Sequence, residues 1–375
     1  MKRYWTPLAM MLILAACNAA DSNDQVKVMI ETEAITFHID TLAEGLQNPW
    51  GMEFLPDGRI LIAERPGRLR IWKDGNLLNE QIEGLPEIWS HGQGGLLDVV
   101  MHPDYNENSL IYLVYAARGN EGGGNTAISR GRLEGNTLTD VETIFHTQPH
   151  TEAAHHFGSR IVFDDEGYLF TTTGDRGVMN TAQDLSSHNG TIIRLYDDGR
   201  VPADNPFVST DNALPEIWSY GHRNIQGMQL HPETRELWAI EHGARGGDEI
   251  NRIHKGGNYG WPLVTHGINY DGTTITPDTT AAGMIDPILH WTPSIAPCGF
   301  TYVDSDQYPQ WRNNMLVTAL AGQHIHRVVF QDTTVVHTEI MLQDFARFRA
   351  IEQGPDGLIY VLTEGPGLFL RLIPE

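Results

Sequence analysis

The stretch "WGMEFLPDGRILIAE", residues 50–64, decides how the chain is read: a short apolar strand, a Pro-Asp-Gly turn, and a second strand rich in Ile and Leu. The same shape returns as "LLDVVMHPDYNENSLIYLVY" from Leu96, "SRIVFDDEGYLFTTTGD" from Ser159, "QGMQLHPETRELWAIEHG" from Gln226, "GFTYVDSDQYPQWRNNMLVTAL" from Gly299 and "RAIEQGPDGLIYVLTE" from Arg349. Further strands fit between these units, among them "GRLRIW", "GTIIRLY", "HIHRVVF" and "GLFLRLI", while sustained helical periodicity is almost absent. A period of roughly 45–75 residues suits one blade per unit with loop insertions. The expected fold is all-β: a six-bladed β-propeller of four-stranded antiparallel blades over residues 35–375, with no internal domain boundary. Polar residues from several blades then converge on one mouth of a central channel.

Composition narrows the class of partner. The 375 residues carry 25 Lys plus Arg against 48 Asp plus Glu, a formal charge of −23, which argues against a nucleic-acid backbone or an anionic membrane surface. Acidic loops can instead hold calcium. The N-terminus reads as an export signal: Lys2 and Arg3, then "PLAMMLILAA", too short to span a bilayer, then Cys17. "LAAC", Leu14 to Cys17, resembles the bacterial lipobox, which implies a signal peptide over residues 1–16 and a lipid on Cys17; a plain secretory signal cut nearby is the alternative. Residues 17–34 read as a polar tether, and Cys298 is then the sole remaining thiol. The expected location is the periplasmic side, held to the membrane through the lipid alone.

Six places carry chemistry that a blade does not require. Gln93 sits among glycines in "HGQGGLLDVV", as a site residue or a turn glutamine. In "HTEAAHHFGSR", His155 and His156 would point to opposite faces if the stretch were a strand, which weakens a shared metal site and leaves a single histidine as a candidate base. Asp175 in "TTTGDRG" is a functional carboxylate or a turn cap. Arg223 and Asn224 in "IWSYGHRNIQGM" offer a permanent cation and an amide beside a strand. The densest cluster, "IEHGARGGDEINRIHKGGNYGWP" from Ile240 to Pro262, combines glycines with Asp248 and Glu249, as a hard cation such as Ca2+ requires. Arg347 and Arg349 in "FARFRA" alternate on a strand, so they face one side and can clamp a polyanion. The residues alone lead to an anionic cofactor or substrate, a base and a cation.

In this order, "GQGGLLDVV", "HFGSRIVF", "AQDL", "DNPF", "SYGHRNIQGM", "EHGARGGDEIN", "GGNYGWP" and "GPDGLIYVLT" resemble the soluble pyrroloquinoline quinone (PQQ) dependent sugar dehydrogenases of the glucose/sorbosone dehydrogenase family, from about Leu46 to the C-terminus. The resemblance implies PQQ over the channel mouth with Ca2+ polarising its carbonyl oxygens, and oxidation of an aldose at its anomeric hydroxyl to a lactone. Electrons then pass to a membrane quinone or another carrier. It implies His156 as the base, Arg223 over the quinone oxygens, and cofactor contacts from Gln93, Asn224, Arg347, Arg349 and, more weakly, Tyr270. Gly243 and Ala244 match the carbonyl ligands of the catalytic Ca2+, with alanine where proline is usual, and Glu249 and the Tyr259 carbonyl match a structural calcium site. His155 stands where the glucose enzyme has an aspartate. Ala321 in "TALAGQ" stands where the family has a cofactor-binding lysine, leaving that task to a neighbour such as His324. Two other readings compete: a calcium-dependent propeller lactonase, and a binding propeller without catalysis. The sequence is compatible with a monomer or a homodimer.

Overall fold

The computed structural model of the chain describes residues 28–119 and 122–375; the signal segment, Cys17 and most of the expected tether lie outside them. Among the described residues the chain is almost entirely β, in six antiparallel sheets arranged as blades around a channel. Five blades are consecutive four-stranded meanders over residues 49–82, 96–146, 161–220, 225–291 and 297–341. Each repeated stretch supplies the first two strands of one blade, as Pro49–Phe54 and Ile60–Glu64 do for the first. The six first strands pack side by side around the channel.

The sixth blade closes the ring. Its inner three strands are C-terminal, Arg347–Gln353, Ile359–Glu364 and Leu368–Pro374, but the fourth, Thr36–Glu44, comes from the other end of the chain. Its register runs from Phe37 opposite Pro374 to Glu44 opposite Leu368. A fifth strand, Met29–Glu31, pairs outside it, so the last residues of the expected tether belong to this sheet and the blade has five strands. Closure leaves no inner edge exposed, which a sheet of this size must otherwise protect.

Stacking explains the composition. A blade is covered on both faces by its neighbours, so its central strands bury every residue rather than alternate ones: Ile60–Glu64, Leu237–Glu241, Met315–Ala319 and Ile359–Glu364 are buried throughout. Six apolar clusters result, each shared by two successive blades. Between blades 5 and 6, for example, Trp311, Tyr308 and Leu316 pack on Phe37, Phe348 and Leu370. The core is therefore a ring of interfaces, and the polar loops at its rim are free to carry chemistry.

Candidate active site

The loop carrying the two histidines is stitched to its neighbours by backbone groups. Gln93 donates its N–H to the Ala154 carbonyl (2.7 Å), and its side-chain oxygen accepts from the His156 N–H (2.9 Å). The Asn224 oxygen accepts from Gly158 (3.1 Å), and Asp175 N–H donates to the Arg223 carbonyl (2.8 Å). Gly158 has φ +63°, and a Cβ there would lie 2.6 Å from Thr173 Cα, so no other residue fits this crossing.

Within this frame His156 Nδ1 lies 2.6 Å from Asp175 Oδ1. Asp175 is 1% exposed and also accepts from Gly177 N–H and Trp261 Nε1–H, both at 2.8 Å. The carboxylate therefore accepts a hydrogen bond from Nδ1–H, and Nε2 keeps its lone pair. Burial pushes the His156 pKa below the ordinary value, against the pull of the Asp175 hydrogen bond. Burial would raise that of Asp175, but the His156 bond and the Gly177 amide outweigh it and hold it low. A neutral imidazole on an ionised carboxylate is a general base in waiting.

Residues 155 and 156 are in a loop, not a strand, and His156 has φ +56°. The expected opposition of the two side chains is thereby cancelled: the His155 ring stands edge-on to that of His156, 4.6 Å between centroids, and is exposed. A non-glycine residue in the left-handed region costs energy, and the Gln93 bond to its amide helps to hold it there.

Beside the dyad, a cavity of about 350 Å3 opens at the channel mouth, with Gln93, Asn224, Arg347 and Arg349 all in its wall. Arg349 is anchored by Glu364 (2.9 and 2.8 Å) and the Gln226 oxygen (3.1 Å). Burial opposes ionisation of Glu364, and Arg349 overcomes it, keeping that carboxyl below its usual range. Arg347 reaches the Leu320 carbonyl (3.3 Å) and is 3.9 Å from Glu364. Arg65, Gln226 and His242 also line the cavity, and sequence reasoning passed over them. Gln226 joins Asn224 by a direct side-chain contact, its amide donating to the Asn224 oxygen (3.2 Å). Tyr270 is 72% exposed on an outer loop and does not line the cavity. The loop pairs with itself through Ile268 and Thr274, which turns Tyr270 outward. His324 is likewise not in the wall; its Nδ1 faces the Gly322 carbonyl, whereas Ala321 does line the cavity.

Arg223 lies against Trp261, 5.4 Å from the ring centroid, and its guanidinium donates to the carbonyls of His242 and Gly243. Its guanidinium makes no carboxylate ion pair among the described residues, while its backbone N–H donates to Glu241 (2.7 Å) and its charge helps to keep Asp175 ionised. Next to it a niche of about 10 Å3, the size of a single water or ion, is bounded by Glu241, Gly243, Glu249 and Tyr259. Glu249 is pushed well above the usual carboxyl range by burial and by Glu241. Asp248, grouped with Glu249 in the sequence, instead accepts three backbone amides, from Gly243, Ile295 and Ala296 (2.8, 2.7 and 2.8 Å), and thus shapes the loop. The Ala244 carbonyl accepts from Ser294 (3.3 Å). Among the described residues no three His, Cys, Asp or Glu side chains gather around a point; a hard cation here would rest largely on backbone carbonyls, with two carboxylates nearby whose repulsion it relieves. This donor set fits Ca2+.

A six-bladed propeller with a histidine–carboxylate pair beside a cavity walled by guanidinium groups at its mouth presents a site suited to an anionic ligand. The chain belongs to the Glucose / Sorbosone dehydrogenase family, whose model matches residues 46–371. It is 42% identical over 347 residues to the aldose sugar dehydrogenase YliI of Escherichia coli, covering 91% of this chain and 94% of the relative. Its fold superposes on the apo-form crystal structure of the soluble aldose sugar dehydrogenase from Escherichia coli with a TM-score of 0.88, at 40% identity and covering 90% and 100% of the two chains. It also matches the PQQ-bound aldose sugar dehydrogenase from Streptomyces coelicolor (TM-score 0.75, 26% identity, 90% and 98% covered).

Proposed function

We propose that the protein is a PQQ- and Ca2+-dependent aldose dehydrogenase that oxidises the anomeric hydroxyl to a lactone and hands the electrons to an external carrier, a membrane quinone or its equivalent. The observation that carries this reading is the His156–Asp175 pair at 2.6 Å, set beside a cavity walled by guanidinium and amide groups. The PQQ-bound form of a relative with the same fold supports the choice of cofactor.

In this reading His156 Nε2 accepts the proton of the anomeric hydroxyl, and Asp175 stabilises the imidazolium that forms. When bound, PQQ supplies an electrophilic carbon for the substrate hydride, and Ca2+ polarises it. Arg223 presents permanent positive charge where negative charge develops. Gln93 and Asn224 orient the cofactor, Arg347 and Arg349 hold its carboxylates, and Trp50 and Phe157 supply apolar wall. Gly243 and Ala244 would offer carbonyls to the catalytic Ca2+, which requires the Arg223 guanidinium to release the Gly243 carbonyl. Export and a lipid on Cys17 would keep the enzyme beside a membrane acceptor.

The test is to purify the chain without residues 1–17, add PQQ and Ca2+, and follow dye reduction against a panel of aldoses. Turnover that His156→Ala lowers by about two to four orders of magnitude, with PQQ affinity retained, is expected. Full activity in that variant would move the base elsewhere, with His155 the first alternative.

A further inference from the structure

Three of the arginines in the stretch 64–70 have different fates. Arg68 reaches Glu64 at 2.5 Å and Arg70 lies 3.8 Å from it while bonding the Leu78 carbonyl. Arg65 turns away: it lines the channel-mouth cavity, and among the described residues its guanidinium has neither a hydrogen bond nor a carboxylate within 4.0 Å. Its backbone is fixed between blades 1 and 2, with the N–H donating to Asn48 O and the carbonyl accepting from Leu96 N–H, both at 3.1 Å. The path of its side chain is reserved by Gly95, where a Cβ would meet Arg65 Cγ at 2.5 Å. Long-range attraction to Arg65 helps to hold Glu364 ionised, after the larger effect of Arg349.

The cavity thus contains three guanidiniums, Arg65, Arg347 and Arg349, around one carboxylate, Glu364, an excess of positive charge that an anionic ligand would balance. Ala321 lies in the same wall, so the position where the family resemblance expects a lysine carries no charge. We infer that Arg65 is a cofactor-binding residue of this chain, contacting a carboxylate of PQQ and supplying from blade 1 the cation that Ala321 does not supply from blade 5. This rests on the quinone reading above. It also answers the case for a binding propeller that lost its cofactor, since the charge is relocated and not lost.

The test is equilibrium binding of PQQ in the presence of Ca2+, followed by quenching of tryptophan fluorescence, with the circular dichroism of each variant confirming the fold. Arg65→Ala should weaken binding roughly 10–100-fold, the usual effect of deleting a charged hydrogen-bond partner, and Arg65→Lys should recover most of that loss. Ala321→Lys should restore affinity more strongly in the Arg65→Ala background than in the parent. Parent-like binding by Arg65→Ala would overturn this assignment while leaving the quinone reading intact. Absence of PQQ binding by the parent would overturn both.

Discussion

In the proposed mechanism His156 owes its basicity to a contact 19 residues downstream, with Asp175. Asp175 accepts from an imidazole, an indole and a backbone amide, so replacing it by Asn keeps the volume but removes the charge and allows the other imidazole tautomer. Asp175→Asn should lower kcat by about two to four orders of magnitude with little change in PQQ affinity; a kcat within tenfold of the parent would make Asp175 a turn residue only. The pH profile carries the same signature. Because burial lowers the His156 pKa, the base stays neutral to below the ordinary histidine value of about 6.5. The acid limb of kcat/KM should therefore lie below that pH, activity falling as pH drops through it. At this scale the sequence was legible where a residue type has one use, as with the guanidiniums of Arg347 and Arg349. Asp175 could be read as a cap, Arg65 as part of the "ERPG" turn, and the two histidines as opposed neighbours, because nothing local reveals a left-handed φ at His156 or a partner in another segment.

Among elements, the strand Thr36–Glu44 has the most consequence for its length. Phe37 on it is fully buried and meets Trp311 edge-on, 5.8 Å between centroids, across the interface of blades 5 and 6. Phe37→Ala should cost about 3–5 kcal/mol of unfolding free energy in denaturant titrations, while kcat below the transition stays near that of the parent. A loss under 1 kcal/mol would mean that the ring is held without this strand. The six inner strand pairs were legible because each is a local hairpin with a turn signature between apolar runs. The closing strand was not, since "TFHIDTLAE" mixes polar and apolar residues and finds its partner at the far end of the chain. The same polarity made Met29–Glu31 look like tether.

For the whole molecule, the proposed Ca2+ dependence predicts that the ion also stabilises the fold. Burial first and then the neighbouring Glu241 carboxylate raise the pKa of the half-buried Glu249, so ionising both without a metal is costly and a cation would offset that cost. At a hundredfold excess over its dissociation constant, one bound Ca2+ adds about 2.7 kcal/mol to the folded state and should raise Tm by several degrees. Glu249→Gln should melt above the parent in chelator yet lose most of the calcium-dependent increment; an undiminished increment would place the ion elsewhere. Architecture was legible at this scale because six units of one shape admit few closed arrangements, whereas charge balance at the mouth was not, since it sums residues from blades 1, 5 and 6.

The clasp between Thr36–Glu44 and Leu368–Pro374 also sets an order of events in time. During synthesis the strand that completes blade 6 emerges first and its partner last, so it waits unpaired while some 320 residues follow. The ring cannot close on a chain that lacks this last strand. A nascent molecule of this topology therefore holds its sixth blade open until its final strand is released.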